Sequence, residues 1–251
     1  MALITLSRRI GSRGDEVATL LARTLDLTLV DRTELERVLT DRGIPESYVE
    51  RYDEKRPSLM EFFSSDRDRY YHYLRGAILE TACSGDRVIV GRGAPVILGE
   101  IPGVLHVRIT ASQETRIRRV MEEYDRDENH ARRLVQHSDH DRAGFHHVFF
   151  SVDWEAPELY DVVFNTDALT PEMIVGTIRA ALQMPEFRDA MEGTSTRLNE
   201  AAIAQTVLTK ILFEERIPLR FAAVDVRDGT ATVGGAVSVE TNIERCSAVA
   251  A

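Results

Sequence analysis

The chain has 251 residues, 43% of them hydrophobic, with 41 acidic side chains against 31 basic ones and a formal net charge of -10. That length builds one sizeable core, or one core with a small appendage, and the acidic balance argues against a general nucleic-acid binder, whose footprint is basic. Cys83 and Cys246 match no metal or redox spacing, no apolar run is long enough to span a bilayer, and no signal-peptide pattern follows Met1; a soluble cytoplasmic protein with reduced thiols is expected.

The first element is a short apolar strand around Ile4-Thr5-Leu6, followed by a tight loop and an amphipathic helix that opens on Asp15 and Glu16. Strand, glycine loop and helix N-terminus together make an anion cradle, because the backbone amides and the helix dipole both favour negative charge there. Laid over the pattern G-x-x-x-x-G-K-[ST], the glycines fall on Arg8 and Arg13, the lysine on Gly14 and the hydroxyl residue on Asp15. The same residues suit an ordinary βα turn in which Gly11 and Gly14 supply positive φ.

A second strand, Leu27 to Asp31, ends on a carboxylate, and residues 32–40 form the next helix. Residues 42–66, charged and holding Pro45 and Pro57, suit a mobile helical flap. A longer helix over 67–82 carries Tyr70, Tyr71 and Tyr73, and the apolar strand 87–90 ends in Gly91-Arg92-Gly93. Strand 105–109 leads into an arginine-rich helix with Arg116 and Arg119, then a second charged helix, strand 160–166, and a helix from Thr170 to Leu182. Strands alternating with helices imply an α/β fold, a mostly parallel sheet with helices on both faces, and ligands beyond the C-terminal strand ends. The glycine loop, Asp31 and Gly91-Arg92-Gly93 all sit at such ends.

The order of these pieces resembles the nucleoside monophosphate kinases, and most closely the cytidylate kinase-like family, over residues 2–183. Ser7-Arg8-Arg9-Ile10-Gly11-Ser12-Arg13-Gly14 resembles that family's variant loop S-R-x-x-G-S-G-G, with Arg13 in place of its third glycine. Gly91-Arg92-Gly93 resembles the G-R-D segment that holds the acceptor nucleotide, with Gly93 where the aspartate stands. Ala111-Ser112-Gln113-Glu114-Thr115-Arg116 with Arg119 resembles the start of the lid. Asp139-His140-Asp141-Arg142 resembles the lid's D-x-x-R, and Asp153-Trp154 with 160–166 the later signature.

The resemblance implies transfer of the γ-phosphoryl group of ATP to CMP, dCMP or a related monophosphate, with Mg²⁺. Arg8, Gly11, Ser12, Arg13, Gly14 and Asp15, with the lid's Arg116 and Arg119, would hold the donor. Asp31, Arg32, Gly91, Arg92, Gly93, Asp139 and Arg142 would face the acceptor. Such transfer requires phosphates held in line and their charge neutralised, which the planar fork of arginine suits. Arg92, Arg116, Arg119 and Arg142 can form that clamp or be solvated helix-face charges paired with nearby carboxylates. Arg13, or Arg8 beside it, replaces the missing lysine as the loop cation, with Arg13, Arg92 and Arg142 as the catalytic set; Asp15 is the candidate Mg²⁺ ligand, though it also repels phosphate. A loop with no effective cation instead gives a nucleotide-binding sensor with little or no turnover. His130, His137, His140, His146 and His147 cluster; His137 and His140 have an i, i+3 spacing that can ligate metal, but no cysteine lies nearby and a charged lid helix with exposed or phosphate-facing histidines is the favoured reading.

Residues 185–197 lose periodicity and read as a linker between a nucleotide-binding domain, 1–184, and a C-terminal module, 198–251. The module has an amphipathic helix, two alternating strands joined at Asp228-Gly229, and a last helix. This small α+β module resembles a BON domain, which implies binding of membranes or other ligands. Its expected final strand is missing, so its edge suits completion by another chain, as in a homo-oligomer, or by the kinase-like part.

Overall fold

The computed structural model describes residues 2–52 and 65–250. Strand β1, Leu3–Arg8, is the centre of a five-stranded parallel sheet in the order β2-β3-β1-β4-β5. Its neighbours are β3, Arg87–Val90, and β4, Val104–Thr110; β2, Thr28–Val30, and β5, Val162–Asn165, form the two edges. A strand buried on both faces is mostly apolar: Leu3, Ile4 and Leu6 are fully buried, and the polar Thr5 between them is buried with its hydroxyl 2.8 Å from His106 Nδ1.

Alternate β1 side chains feed two cores. Ile4 and Leu6 pack with Val17 and Leu21 of α1, Gly14–Leu25, and with Ile174 and Ile178 of α8, Pro171–Leu182. Leu3 joins the opposite core with α2, Arg32–Asp41, α3, Glu46–Arg51, and α4, Ser65–Cys83. The flap expected over 42–66 thus includes α3, while 53–64 lie outside the described residues. Short α5, Ala94–Ile97, follows β3. Between β4 and β5 rises a two-helix lid, α6, Gln113–Tyr124, and α7, Glu128–Phe150, whose Ile117, Val120, Ala131 and Val135 pack with Ile10 of the β1 loop. Ser112, Asp127 and Thr170 accept hydrogen bonds from the third residues of α6, α7 and α8, satisfying amides that the helix cannot.

The stretch expected as a linker is mostly helical: Pro185–Met191 forms α9 and Thr194 opens α10, Thr194–Thr209. Proline at the first helical position and Glu186 in the first turn favour that start. Thr194 ties the segment down by donating its hydroxyl to Pro102 O at 2.6 Å. Helix α10 is shared: Leu198 belongs to the main core, while Val207 joins Ile211, Ile217 and Cys246 in a second one. A π-helical turn, Lys210–Glu214, leads to the antiparallel hairpin β6, Arg220–Arg227, and β7, Thr230–Ala236, then α11, Thr241–Ala250. Asp228 and Gly229 at φ 49 and 76 make the two-residue turn whose twist matches a hairpin. No helix among the described residues is long and apolar enough to cross a membrane.

Candidate active site

The chain leaves β1 towards β2 and leaves β4 towards β5, so the sheet opens at the C-terminal ends of β1 and β4, where ligands seat in such folds. The loop between β1 and α1 lies there. Gly11 at φ 72 brings the backbone against the lid: an added Cβ would stand 2.7 Å from Arg116 O. Buried Ser12 donates its hydroxyl to Arg9 O at 2.6 Å and its amide to the same oxygen at 3.1 Å. The α1 ladder begins with Val17 N–H on Arg13 O at 3.0 Å, so the amides of its first turn point out of the helix end.

Across that end runs Arg8. A Cβ on Gly14 would lie 2.3 Å from Arg8 Cβ and 2.7 Å from its Cγ, so position 14, where a P-loop lysine would stand, lacks a side chain to admit another residue's. Arg8 Nε donates to Asp15 Oδ1 at 2.9 Å. Arg13 turns outward instead. It sits at φ 59 as the residue before the helix and donates from Nε and NH2 to the two Glu16 oxygens at 2.7 and 2.8 Å. The geometry puts Arg8, rather than Arg13, at the mouth of the cradle.

Arg8 and Ile10 also form one wall of a cleft of about 280 Å³ whose other walls carry Arg32, Arg92, His137, Asp141 and Arg142. Four guanidinium groups from β1, α2, the turn after β3 and the lid thus converge on one space. Arg92 is 1% exposed, and a buried charge needs partners. Its NH1 donates to Tyr70 Oη at 2.9 Å and its NH2 to Glu36 Oε1 at 2.8 Å, the oxygen that also accepts from Arg32 Nε at 2.7 Å. The sequence marks Tyr70 only as a residue of the long helix and gives Glu36 no site role; the i, i+4 spacing of Arg32 and Glu36 was the available signal.

Other expected site residues face the protein's own groups. Arg116 is buried and grips Asp139 with two bonds of 3.0 and 2.8 Å, so this carboxylate is turned away from the cleft and Asp141 takes its place on the wall. His137 lies 3.4 Å from Asp141. Arg119 donates to Gly11 O at 3.2 Å and to Thr166 Oγ1 and O at 2.8 Å, and Thr166 Oγ1 donates to Ser12 O at 3.0 Å; together they fasten the loop from behind. Asp31 caps α2 through Glu34 N at 3.1 Å. Trp154, 1% exposed, donates to Ser7 Oγ at 2.9 Å, carries Arg108 at 4.4 Å over its ring and stacks on His146 at 5.8 Å. The strand end that launches the loop is therefore braced. Burial lowers the Arg108 pKa, and the neighbouring Tyr160 only partly offsets that. Among the described residues no group of three His, Cys, Asp or Glu side chains is placed to hold a metal ion.

Gly93 explains its own identity. It sits at φ 73, and an added Cβ would stand 2.3 Å from two atoms of the Phe150 ring, which packs against Phe145 and His146. An aspartate here would collide with that ring. Gly93→Ala is expected to cost about 2–4 kcal/mol, from positive-φ strain plus overpacking, read as a lowered midpoint in urea unfolding; an unchanged midpoint would show that Phe150 yields freely.

A glycine turn between the central strand and its helix, with an arginine-lined cleft under a helical lid, defines a P-loop-type α/β protein of the kinase-like class. Within that class the chain belongs to the cytidylate kinase-like family, whose sequence model matches residues 3–168. A crystal structure of an uncharacterized protein from Eubacterium ventriosum ATCC 27560 is similar over 72% of this chain and 98% of its own, at 22% identity and TM-score 0.58. Shikimate kinase from Bacteroides thetaiotaomicron is more distant, with 16% identity, TM-score 0.43, and 73% and 99% of the two chains covered. No curated protein matches the chain.

Proposed function

We propose that the chain transfers the γ-phosphoryl group of ATP to a nucleoside monophosphate, CMP or dCMP in the first instance, seated in the arginine cleft. The observation that carries this is the convergence of Arg8, Arg32, Arg92 and Arg142 on one cleft beside the outward-facing amides of α1. Gly11, Ser12 and Gly14 shape the cradle for the donor phosphates, and Arg8 reaches both sides, the donor at the helix end and the acceptor in the cleft. Arg92 and Arg142 bind the acceptor phosphate, Asp141 and His137 line its far end, and Arg13 plays a surface role. Mg²⁺ needs few protein oxygens when phosphates supply the rest, and Asp15, with its side chain 79% exposed, is the loop carboxylate available to it. When bound there, the ion would supply charge neutralisation on the transferring group; the residues here hold and align the two phosphates.

Release of ADP from ATP, measured across a panel of nucleoside monophosphates, tests this. Acceptor-dependent release that falls roughly 100-fold or more in Arg142→Ala, through loss of a charge-assisted phosphate contact at the reacting group, is the expected result. No acceptor-dependent release, with ATP still bound, would instead select a nucleotide sensor. The Arg8–Asp15 pair across the loop mouth favours that second possibility. In either case we read 1–184 as the nucleotide domain and 198–251 as a BON-like binding module. The order of α10, β6, β7 and α11 and the Asp228-Gly229 turn support the module, and its two-stranded sheet offers edges to a second copy or a membrane-bound partner.

A further inference from the structure

Away from the cleft, a larger cavity of about 510 Å³ opens where the C-terminal hairpin meets the main domain. Its walls come from α4, α5, the end of α7, α10 and β6. Interiors are close-packed, so a space this size at a seam needs a cause. The cause is residue choice: Ala201 and Ala204 of α10 and Ala222 and Ala223 of β6 all line the seam, and side chains this small leave it unfilled. The volume matches a small organic ligand.

The lining tells what kind. Tyr71 and Phe150, with ring centroids 5.8 Å apart, join Val96, Ile97 and Leu208 as an apolar bed. Three cations, Arg75, Arg197 and Arg227, are balanced by three carboxylates, Glu100, Glu200 and Asp225, so a triphosphate would meet no net positive field. Two of the cations are already matched: Arg197 to Glu200 at 2.6 Å, and Arg227 to Asp225 at 3.2 Å and Glu200 at 4.0 Å. Arg75 differs. Among the described residues it has no ion-pair partner, and its buried Nε meets no hydrogen-bond acceptor, a costly state for a guanidinium.

We propose that this cavity is a second ligand site, taking a small amphiphilic monoanion whose apolar body rests on Tyr71 and Phe150 and whose single carboxylate-type group pairs with Arg75. The site does not depend on the phosphoryl-transfer function, since none of its lining residues belongs to the arginine cleft.

Fluorescence titration of the full chain with anilinonaphthalenesulfonate, an aromatic monoanion, tests the site, with uncharged phenylnaphthylamine as its neutral counterpart. Both probes are expected to bind at one site that ATP does not compete for. Arg75→Gln should weaken the anion roughly tenfold or more, the size of one charge-assisted contact, and leave the neutral probe unchanged. Ala204→Phe from α10, and separately Ala223→Leu from β6, fill the cavity and should remove both probes. Circular dichroism on each variant shows that it is folded. Anion binding that survives Arg75→Gln at full strength, or that persists in both filled variants, would overturn the proposal.

Discussion

Arg8→Ala is expected to weaken ATP binding roughly 10- to 100-fold, the range for losing hydrogen bonds to a charged group, while Arg13→Ala shifts it less than about threefold. The difference follows from placement. Arg8 crosses the open end of α1 over a glycine, with its side chain only 16% exposed. Arg13 is 41% exposed and paired to Glu16, a surface arrangement of small energetic weight. Asp15 adds a sign test. It competes with phosphate for Arg8, so Asp15→Asn should tighten ATP binding in Mg²⁺-free buffer and weaken the Mg²⁺ dependence. Titration calorimetry on the variants measures both effects; an Arg13→Ala loss as large as that of Arg8→Ala would move the loop cation to the wrong side of the turn for this geometry.

The second large effect concerns stability. Asp139→Ala is expected to cost about 2–4 kcal/mol, because it strands the Arg116 guanidinium in the protein without its carboxylate. The figure sits below the full buried-pair range because the Asp139 side chain is 24% exposed. Replacing both partners, Arg116→Met with Asp139→Ala, should recover much of the loss, since no charge is then left buried. Asp141→Asn should leave the unfolding midpoint in place and raise KM for the acceptor. If Asp139→Ala changed acceptor KM at unaltered stability, the assignment of the two carboxylates would be reversed.

Much of the frame was legible in the chain. Residues 3–6 and 88–90 are mostly apolar because strands buried on both faces have little room for polar side chains, and Thr170-Pro171 and Asp228-Gly229 mark a helix start and a hairpin by local chemistry alone. The cleft was legible in part: Arg8, Arg32, Arg92 and Arg142 were all candidates, and they meet on one space. What could not be read was direction. Asp139 and Asp141 are two positions apart on α7, so their side chains leave the helix on different sides, but only packing against Arg116 decides which one sees the cleft. Arg8 and Arg13 flank the same turn, and the positive φ at Arg13 sends its side chain outward. Gly93 looked like a lost aspartate until Phe150, far along the chain, was found against it. The helix at 185–191 hid because a seven-residue segment is too short to show a period.

A crystal structure of the chain with ADP would be the most direct examination of the β1–α1 turn. The β-phosphate should lie within hydrogen-bonding distance of the amides opening α1, with the Arg8 guanidinium turned from Asp15 onto its oxygens. Finding the diphosphate bound elsewhere, with Arg8 still lying over Gly14 and held by Asp15, would contradict the account.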